Sequence, residues 1–304
     1  MVEQEVQFTS EGIELKGTLC LPEANGVFPV VLYIPGSGPI DRNENHKKIK
    51  INAFNSIAHY LAQQGIASLR YDKRGIGKSG GNYWSTGFYD NSKDAYNAIQ
   101  FLKQQKNSNP EKIFLLGHSE GGLQAGRLAG EGAKVAGIIL LAGAAQSGEA
   151  ILKWQALEIA KGLRGFSAFI IKLFRIDIAK AQQKQLDKIR KSKKDWIRLQ
   201  LFAKLNAKWF REFLAYDPSE DLSRVTVPTL AITGSKDIQV NPTDLELMGK
   251  LVKGPFEAHL IPNMTHMLRV QQTDANIGNY REEVRRPIEQ QVLEIVSQWL
   301  RKQL

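Results

Sequence analysis

Residues 111–121 read Glu-Lys-Ile-Phe-Leu-Leu-Gly-His-Ser-Glu-Gly. The apolar run Ile113–Leu116 predicts a short buried strand, and the pattern Gly-x-Ser-x-Gly at 117–121 is typical of a sharp turn that lifts a serine hydroxyl above a sheet. Residues 122–129 can continue as a helix. This succession of strand, turn and helix decides the fold more firmly than any other stretch of the chain.

The turn makes Ser119 a candidate nucleophile. The serine is expected to adopt strained backbone angles while neighbouring chain passes close by, so we assign Gly117 and Gly121 a steric role. The alternative is a glycine-rich turn with an incidental serine. The apolar strand before the turn and the helical stretch after it favour the first interpretation.

A serine hydroxyl needs a base to take its proton, and the base needs a carboxylate that fixes its tautomer. Val227–Thr233 reads as an apolar strand, and Asp237 follows it on a loop. Ala258–Ile261 reads as a further strand, with His266 on the turn after it. The order serine, aspartate, histidine is the one expected when the three groups come from successive strand ends.

Other histidines and aspartates compete for these two roles. The chain has five histidines, and His266 is the one that follows the last predicted strand. The other histidines lie in a polar loop, a predicted helix, the turn itself and a strand: His46, His59, His118 and His259. The competing aspartates do not directly follow a strand: Asp217, Asp221 and Asp244.

Acyl transfer at Ser119 would also need backbone N–H groups that bind an oxyanion. The amide of Glu120, at the start of the predicted helix, is one candidate. The strand Val30–Ile34 leads into a glycine-rich loop, where we predict the Ser37 amide as the second donor and Gly36 as the neighbouring alternative. The competing interpretation of that loop is a tight turn without a binding role.

The rest of the chain alternates apolar strands with helical stretches, which predicts a mostly parallel sheet covered on both faces by helices. The predicted helices are 52–64, 92–105, 120–130, 242–252 and 283–302. The opening segments 5–9 and 13–21 alternate apolar and polar residues around Glu11-Gly12, which predicts an antiparallel hairpin at one edge.

Five blocks of sequence, in this order, resemble those of serine α/β-hydrolases. They read Pro-Gly-Ser-Gly-Pro-Ile-Asp-Arg at 35–42, Asp-Lys-Arg-Gly-Ile-Gly-Lys-Ser at 72–79, Gly-His-Ser-Glu-Gly-Gly at 117–122, Gly-Ser-Lys-Asp-Ile-Gln-Val at 234–240 and Pro-Asn-Met-Thr-His at 262–266. The branch they resemble most is that of the capped carboxylesterases related to the serine aminopeptidase group. The resemblance spans nearly the whole chain apart from its middle.

The resemblance implies an α/β-hydrolase fold with an inserted cap, and acyl transfer through an acyl-serine intermediate without a metal or organic cofactor. It carries the catalytic triad over onto Ser119, Asp237 and His266. One position departs from many relatives, which have His-Gly in the oxyanion loop where this chain has Pro35-Gly36, as in the esterase branch.

The composition changes near residue 146. From Gln146 to Arg224 about seventeen Lys and Arg stand against nine Asp and Glu, so this quarter holds most of the net charge of +10. Apolar residues recur there at helical spacing. They are Ile151, Trp154, Leu157, Phe166, Phe169, Ile170, Leu173 and Phe174. We predict a hydrolase core at 1–145 and 223–304 and a helical cap at 146–222 that roofs the catalytic groove and sets acyl preference.

A basic run in this segment invites an acidic partner. It comprises Lys184, Lys188, Arg190, Lys191, Lys193 and Lys194. A solvated helical face is the common explanation for such a run, and the alternatives are an anionic membrane surface or an anionic thioester such as an acyl-CoA. No zinc-finger or RNA-binding pattern accompanies the charge, so no nucleic-acid partner is expected.

Three further features exclude other classes. The segment 75–79 ends in Gly-Lys-Ser, but position 72 is aspartate where a phosphate-binding loop needs glycine. The single cysteine, Cys20, cannot form an internal disulfide and reads as a small packed residue. The N-terminus is acidic and no run reaches about 18 apolar residues, so we expect a cytoplasmic protein without a transmembrane segment.

These observations predict a serine hydrolase that cleaves carboxylic esters of small or medium acyl chains. The alternatives are an acyl-CoA thioesterase or acyltransferase, a serine aminopeptidase in which Glu120 or a cap carboxylate binds the free amine, and a binding protein that keeps the fold without chemistry. The acyl group, the leaving group and the oligomeric state are not determined by the sequence.

Overall fold

The structure is a computed structural model that describes residues 1–162, 178–199 and 203–304. Within these ranges eight strands form one sheet in the order β1-β2-β4-β3-β5-β6-β9-β10. Their bounds are β1 Val2–Ser10, β2 Ile13–Leu21, β3 Phe28–Ile34, β4 Ala67–Tyr71, β5 Ser108–His118, β6 Gly137–Leu141, β9 Thr229–Gly234 and β10 Phe256–Ile261. A separate ribbon pairs β7 Trp196–Leu199 with β8 Ala203–Asn206.

The first two strands form the antiparallel hairpin that the sequence predicts, and they lie at one edge of the sheet. Strand β2 pairs antiparallel with β4, and every further pairing across the sheet is parallel. Because parallel strands end at the same edge, the loops after β3, β5, β9 and β10 come together there. That edge carries the candidate site.

Helices cover both faces of the sheet. The helices of the described residues are α1 Ala53–Gln63, α2 Phe88–Lys103, α3 Glu120–Gly130, α4 Gly148–Lys161, α5 Ile178–Lys191, α6 Ala207–Ala215, α7 Pro218–Leu222, α8 Asp244–Leu251, α9 Tyr280–Glu283 and α10 Gln290–Gln303. Apolar side chains of α1 and α10 pack on one face, and those of α2, α3 and α8 pack on the other. The central strands are therefore buried on both sides, as their continuous apolar sequences predict. The chain has the mostly parallel α/β-hydrolase fold.

The segment between β6 and β9 contains α4, α5, α6 and α7 together with the ribbon of β7 and β8. The sequence predicts helices here but not the ribbon, because two four-residue strands are too short to give a clear alternating pattern. The apolar positions at Phe166, Phe169, Ile170, Leu173 and Phe174 lie outside the described residues.

Two helix boundaries differ from the sequence prediction by more than two residues. Helix α2 begins at Phe88 rather than at residue 92, since Gly87 serves as its N-cap and Asp90 accepts the Gly87 N–H. The last helix begins at Gln290 rather than at 283. Pro287 lies between α9 and α10, and proline disfavours helical geometry in the residue before it.

No helix in the described ranges is both long and apolar enough to cross a membrane.

Candidate active site

Strand β5 ends at His118 and helix α3 begins at Glu120, which leaves Ser119 alone on the turn between them. Its backbone has φ 54° and ψ −117°, a strained conformation for a residue with a side chain. A Cβ atom at Gly117 would lie 2.0 Å from the carbonyl oxygen of Gly121, and one at Gly121 would lie 1.9 Å from that of Ile34. Neither position can take a larger residue without moving the backbone.

Asp237 and His266 are brought together by the loops after β9 and β10. Asp237 Oδ2 lies 2.8 Å from Nδ1 of His266, and both residues are 3% exposed. The other carboxylate oxygen of Asp237 accepts the N–H groups of Gln239 at 2.8 Å and Val240 at 2.9 Å. The carboxylate is thereby held in one orientation, and an Nδ1–H donated to it leaves Nε2 of His266 free to act as a base.

The competing histidines have other surroundings. His59 contacts Glu3, and His259 contacts Glu257 on β10. His46 is in a loop, where its Nδ1 accepts the Lys48 N–H. His118 is the exception, because it is buried directly beside His266.

The competing aspartates have partners elsewhere in the structure. Asp217 accepts the Ser219 N–H at the start of α7, and Asp221 accepts the Tyr216 hydroxyl at 2.9 Å. Asp244 accepts the Ala145 N–H at 2.9 Å.

The loop after β3 lies against the turn that carries Ser119. A Cβ atom added to Gly36 would lie 3.5 Å from Cβ of Ser119. The Gly36 N–H donates to Glu44 Oε1 at 3.1 Å, and the Gly36 carbonyl accepts the Lys73 ammonium at 2.6 Å. Since the Gly36 N–H is engaged by Glu44, the geometry favours Ser37 over Gly36 as an oxyanion donor.

The Glu120 amide is the other sequence-predicted donor. Glu120 is the first residue of α3, and the first N–H groups of a helix have no partner within the helix. They also lie at the positive end of the helix dipole, which favours an anion. Ser37, Ser119 and Glu120 line the same cavity.

This cavity has a volume of about 220 Å³. Its remaining lining residues are Gly38, Tyr83, Leu123, Ala144, Ile151, Leu152, Gln155, Trp209, Phe210, Phe213, Gln239 and Val240. Helices α4 and α6 supply six of them, and Trp209 stacks on Phe213 with ring centroids 4.7 Å apart. A mostly apolar cavity that opens onto Ser119 can hold an acyl chain or an apolar leaving group.

The Glu120 side chain is 4% exposed. Its Oε1 accepts the Asn91 amide at 2.8 Å and the Trp209 indole N–H at 3.0 Å. Its Oε2 is buried and has no hydrogen-bond partner among the described residues. The hydrogen bond from Trp209 thus links helix α6 to Glu120, the residue after Ser119.

A buried carboxylate that the sequence analysis did not identify lies beside the turn. Glu44 is 0% exposed, and its Oε1 lies 2.9 Å from Nδ1 of His118. Burial would raise the pKa of Glu44, but the His118 ring and the Gly36 N–H outweigh it and leave that pKa below its usual value. Burial would likewise lower the pKa of His118, but Glu44 outweighs it and the pKa is raised. Glu44 lies in a polar loop without periodicity, so no sequence pattern marks it as buried.

The loop after β4 is held by hydrogen bonds to Asp72. The Asp72 carboxylate accepts hydrogen bonds from the Arg42 guanidinium at 2.8 Å and from the Lys78 N–H at 3.0 Å. The Ser79 hydroxyl donates to the Asp72 carbonyl at 2.7 Å. The Gly-Lys-Ser sequence is thus part of a folded loop, held by an aspartate at the position where a phosphate-binding loop would have glycine.

Comparison with known proteins places the chain in a family. Residues 49–272 match the family described as Serine aminopeptidase, S33, so the chain belongs to that family of α/β hydrolases. Esterase EstD of Thermotoga maritima is 26% identical over 291 residues, which are 95% of this chain and 66% of that protein. The chain therefore spans about two thirds of the length of this curated relative.

Solved structures share the fold at low sequence identity. Est1E from Butyrivibrio proteoclasticus has a TM-score of 0.65 and 19% identity, with 98% of each chain covered. The α/β hydrolase GrgF from a Penicillium species has a TM-score of 0.66 and 18% identity, with 100% of this chain and 99% of that chain covered. An esterase of Pyrococcus furiosus has a TM-score of 0.62 and 16% identity, with coverage of 99% and 91%.

Proposed function

We propose that the protein is a serine esterase that cleaves carboxylic esters of small or medium acyl chains through an acyl-serine intermediate. The observation that carries the proposal is the buried Asp237–His266 pair, 2.8 Å apart, at the sheet edge where the strained Ser119 opens into an apolar cavity. The similarity to an esterase over 95% of the chain supports the same assignment.

In this mechanism His266 Nε2 takes the proton of the Ser119 hydroxyl as its oxygen attacks the ester carbonyl. The N–H groups of Glu120 and Ser37 stabilise the oxyanion of the tetrahedral intermediate. The intermediate collapses when the imidazolium of His266 gives its proton to the leaving alkoxide. Water, deprotonated by His266, then attacks the acyl-enzyme, and the proton returns to Ser119 as the acid leaves.

The cap at 146–222 is part of the proposal. Its support is that α4 and α6 line the same cavity as Ser119. The residues that do so are Ile151, Leu152 and Gln155 on α4 and Trp209, Phe210 and Phe213 on α6. A volume of about 220 Å³ lies below the range of about 300–1,000 Å³ typical of sites for drug-sized ligands. A short or medium acyl chain fits such a cavity better than a long one.

The test is a series of p-nitrophenyl esters from acetate to palmitate, assayed with the native protein and with Ser119→Ala. We expect the highest kcat/KM for short or medium chains and no turnover above background in the variant. Turnover that Ser119→Ala retains would exclude the mechanism. Absence of turnover in the native protein with every ester would favour a fold kept for binding.

An acyl-CoA thioesterase or acyltransferase is a second candidate because of the basic run on the cap. Its six side chains, from Lys184 to Lys194, are exposed, which also fits a solvated face. The test is to compare the rate of acyl-CoA hydrolysis with the rate of neutral ester hydrolysis as salt is added. A rate that falls strongly for the acyl-CoA but not for the neutral ester would favour this candidate.

A serine aminopeptidase is a third candidate, and one observation favours it. The Glu120 carboxylate belongs to a residue that lines the cavity, and its Oε2 lacks a hydrogen-bond partner among the described residues. Faster cleavage of an aminoacyl p-nitroanilide than of its N-acetyl form would support a site for a free amine. Equal rates for the two substrates would favour the esterase over the aminopeptidase.

A further inference from the structure

The proposed triad leaves the buried Glu44–His118 pair, which lies beside His266, without a role. Glu44 is 0% exposed and His118 is 3% exposed, yet neither residue carries out a step of the mechanism. Burying a carboxylate is costly unless it is paired and hydrogen-bonded. The partners of this pair therefore indicate what it does.

Both ring nitrogens of His118 face acceptors. Nδ1 lies 2.9 Å from the Glu44 carboxylate, and Nε2 lies 3.0 Å from the carbonyl oxygen of His266. A neutral imidazole carries only one N–H, so it can donate to one of these oxygens but not to both. The ring that satisfies both is the imidazolium, with Glu44 as its counter-ion.

The His118 ring also packs on His266. The two ring centroids are 4.8 Å apart, and the planes are inclined by 37°. One residue thus fixes the backbone of His266 through a charge-assisted hydrogen bond and limits the movement of its ring. Charge-assisted hydrogen bonds are roughly twice as strong as neutral ones.

Glu44 extends this connection to the oxyanion loop. The same oxygen, Oε1, that faces His118 also accepts the Gly36 N–H at 3.1 Å. Gly36 precedes Ser37, whose amide is the proposed second oxyanion donor. A single oxygen of Glu44 therefore links the loop of Gly36 and Ser37, through His118, to His266.

We propose that Glu44 and His118 form an ion pair that positions His266 and the Ser37 amide relative to each other. The proposal rests on the proposed function, because it gives these residues a task only if His266 is the base. Both are positioning residues, since they act through His266 and the oxyanion loop.

Several other charged groups surround the pair. Asp237 contacts Nδ1 of His266, and Lys73 donates to the Gly36 carbonyl. Burial lowers the pKa of Arg269 to about 10, and the charge of Glu44 opposes that shift. The His118 ring packs on His266 with the two ring centroids 4.8 Å apart.

The experiment compares Glu44→Gln and His118→Gln with the native protein, using one p-nitrophenyl ester across a pH series. The matched control is Glu257→Gln, because Glu257 also pairs with a histidine, His259, at 2.8 Å, but on strand β10 away from the cavity. We expect kcat to fall between about tenfold and a hundredfold in both variants while KM changes little.

The kcat of the double variant is a second test. Because the two residues act as one unit, Glu44→Gln with His118→Gln should be no slower than the slower single variant. The control should match the native protein in kcat, KM and pH profile. A kcat within twofold of native in both single variants would overturn the proposal.

A measurement on the native protein covers the case in which the variants do not fold. Nitrogen-15 NMR of the histidine rings at about pH 7, where a free histidine is mostly neutral, should show both His118 nitrogens protonated. A lone-pair nitrogen on His118 would overturn the proposal. Failure of the proposed function is distinct, because it would appear as ester turnover that survives Ser119→Ala.

Discussion

Asp237 Oδ2 lies 2.8 Å from Nδ1 of His266, while the opposite oxygen of Asp237 is fixed by two backbone N–H groups. The loop after β9 thus orients the carboxylate before it meets the histidine. The carboxylate can hold the Nδ1–H tautomer and stabilise the imidazolium that forms when Ser119 is deprotonated.

Asp237→Asn should lower kcat about ten-thousandfold with little loss of stability. An amide can donate to Nδ1, which would select the tautomer in which Nε2 carries the proton and cannot accept it from Ser119. The measurement is kcat for a short-chain ester, with Asp217→Asn as the control because Asp217 accepts only a local N–H at the start of α7. Near-native kcat in Asp237→Asn would assign the carboxylate role elsewhere.

Gly121→Ala should destabilise the fold by about 4 kcal/mol or more. The new Cβ would lie 1.9 Å from the Ile34 carbonyl oxygen on β3, so the strand or the turn must move. The measurement is the denaturant midpoint. Gly249→Ala is the control, because Gly249 lies on helix α8 and the nearest atom to its Cβ would be a Phe256 ring carbon at 3.1 Å. Equal midpoints for the two variants would contradict the close packing at the turn.

The wall of the cavity should set the preferred acyl length. Leu152 lines the cavity from α4. Leu152→Ala should raise the preference for longer over shorter esters about tenfold, and Leu152→Trp should lower it by a similar factor. The measurement is the ratio of kcat/KM values across the ester series. Parallel changes for all chain lengths would mean that the acyl chain binds elsewhere.

The Glu44–His118 pair should also give stability a characteristic pH dependence. The raised pKa of His118 stabilises the fold fully below its ordinary value near about pH 6.5, and that contribution is lost as the pH rises through the raised value. The lowered pKa of Glu44 stabilises the fold above its ordinary value near about pH 4.3, and that contribution is lost as the pH falls through the lowered value. The pair therefore contributes most at mildly acid pH.

Glu44→Gln should accordingly cost about 2 kcal/mol of unfolding free energy near pH 6 and less at alkaline pH. Urea denaturation of both proteins across this range measures the difference. A difference that stays constant or grows toward alkaline pH would contradict the assignment of an imidazolium to His118.

The fold was predictable wherever local patterns decide it. The hairpin of β1 and β2 follows from alternation, the parallel sheet follows from continuous apolar runs, and helix α3 follows from the glycine-serine turn. Even the placement of Asp237 beside His266 follows from parallel strands that end at the same edge. These features depend on spacing along the chain, which a sequence displays directly.

What the sequence did not reveal depends on contacts between distant segments. Glu44 is brought to His118 across 74 positions, and Trp209 reaches Glu120 across 89. Glu44 lies in a loop of charged residues that looks solvated, and its burial arises only when that loop folds against β5. The contacts of His118 were missed for a related reason, since its partners are a distant carboxylate and a distant carbonyl.

The most direct test of the account is to locate the covalent adduct of a fluorophosphonate by mass spectrometry after digestion of the labelled protein. We expect one adduct, on Ser119, and no labelling of Ser119→Ala or of protein denatured before exposure. An adduct on another residue, or undiminished labelling of the variant, would contradict the claim that Ser119 is the nucleophile.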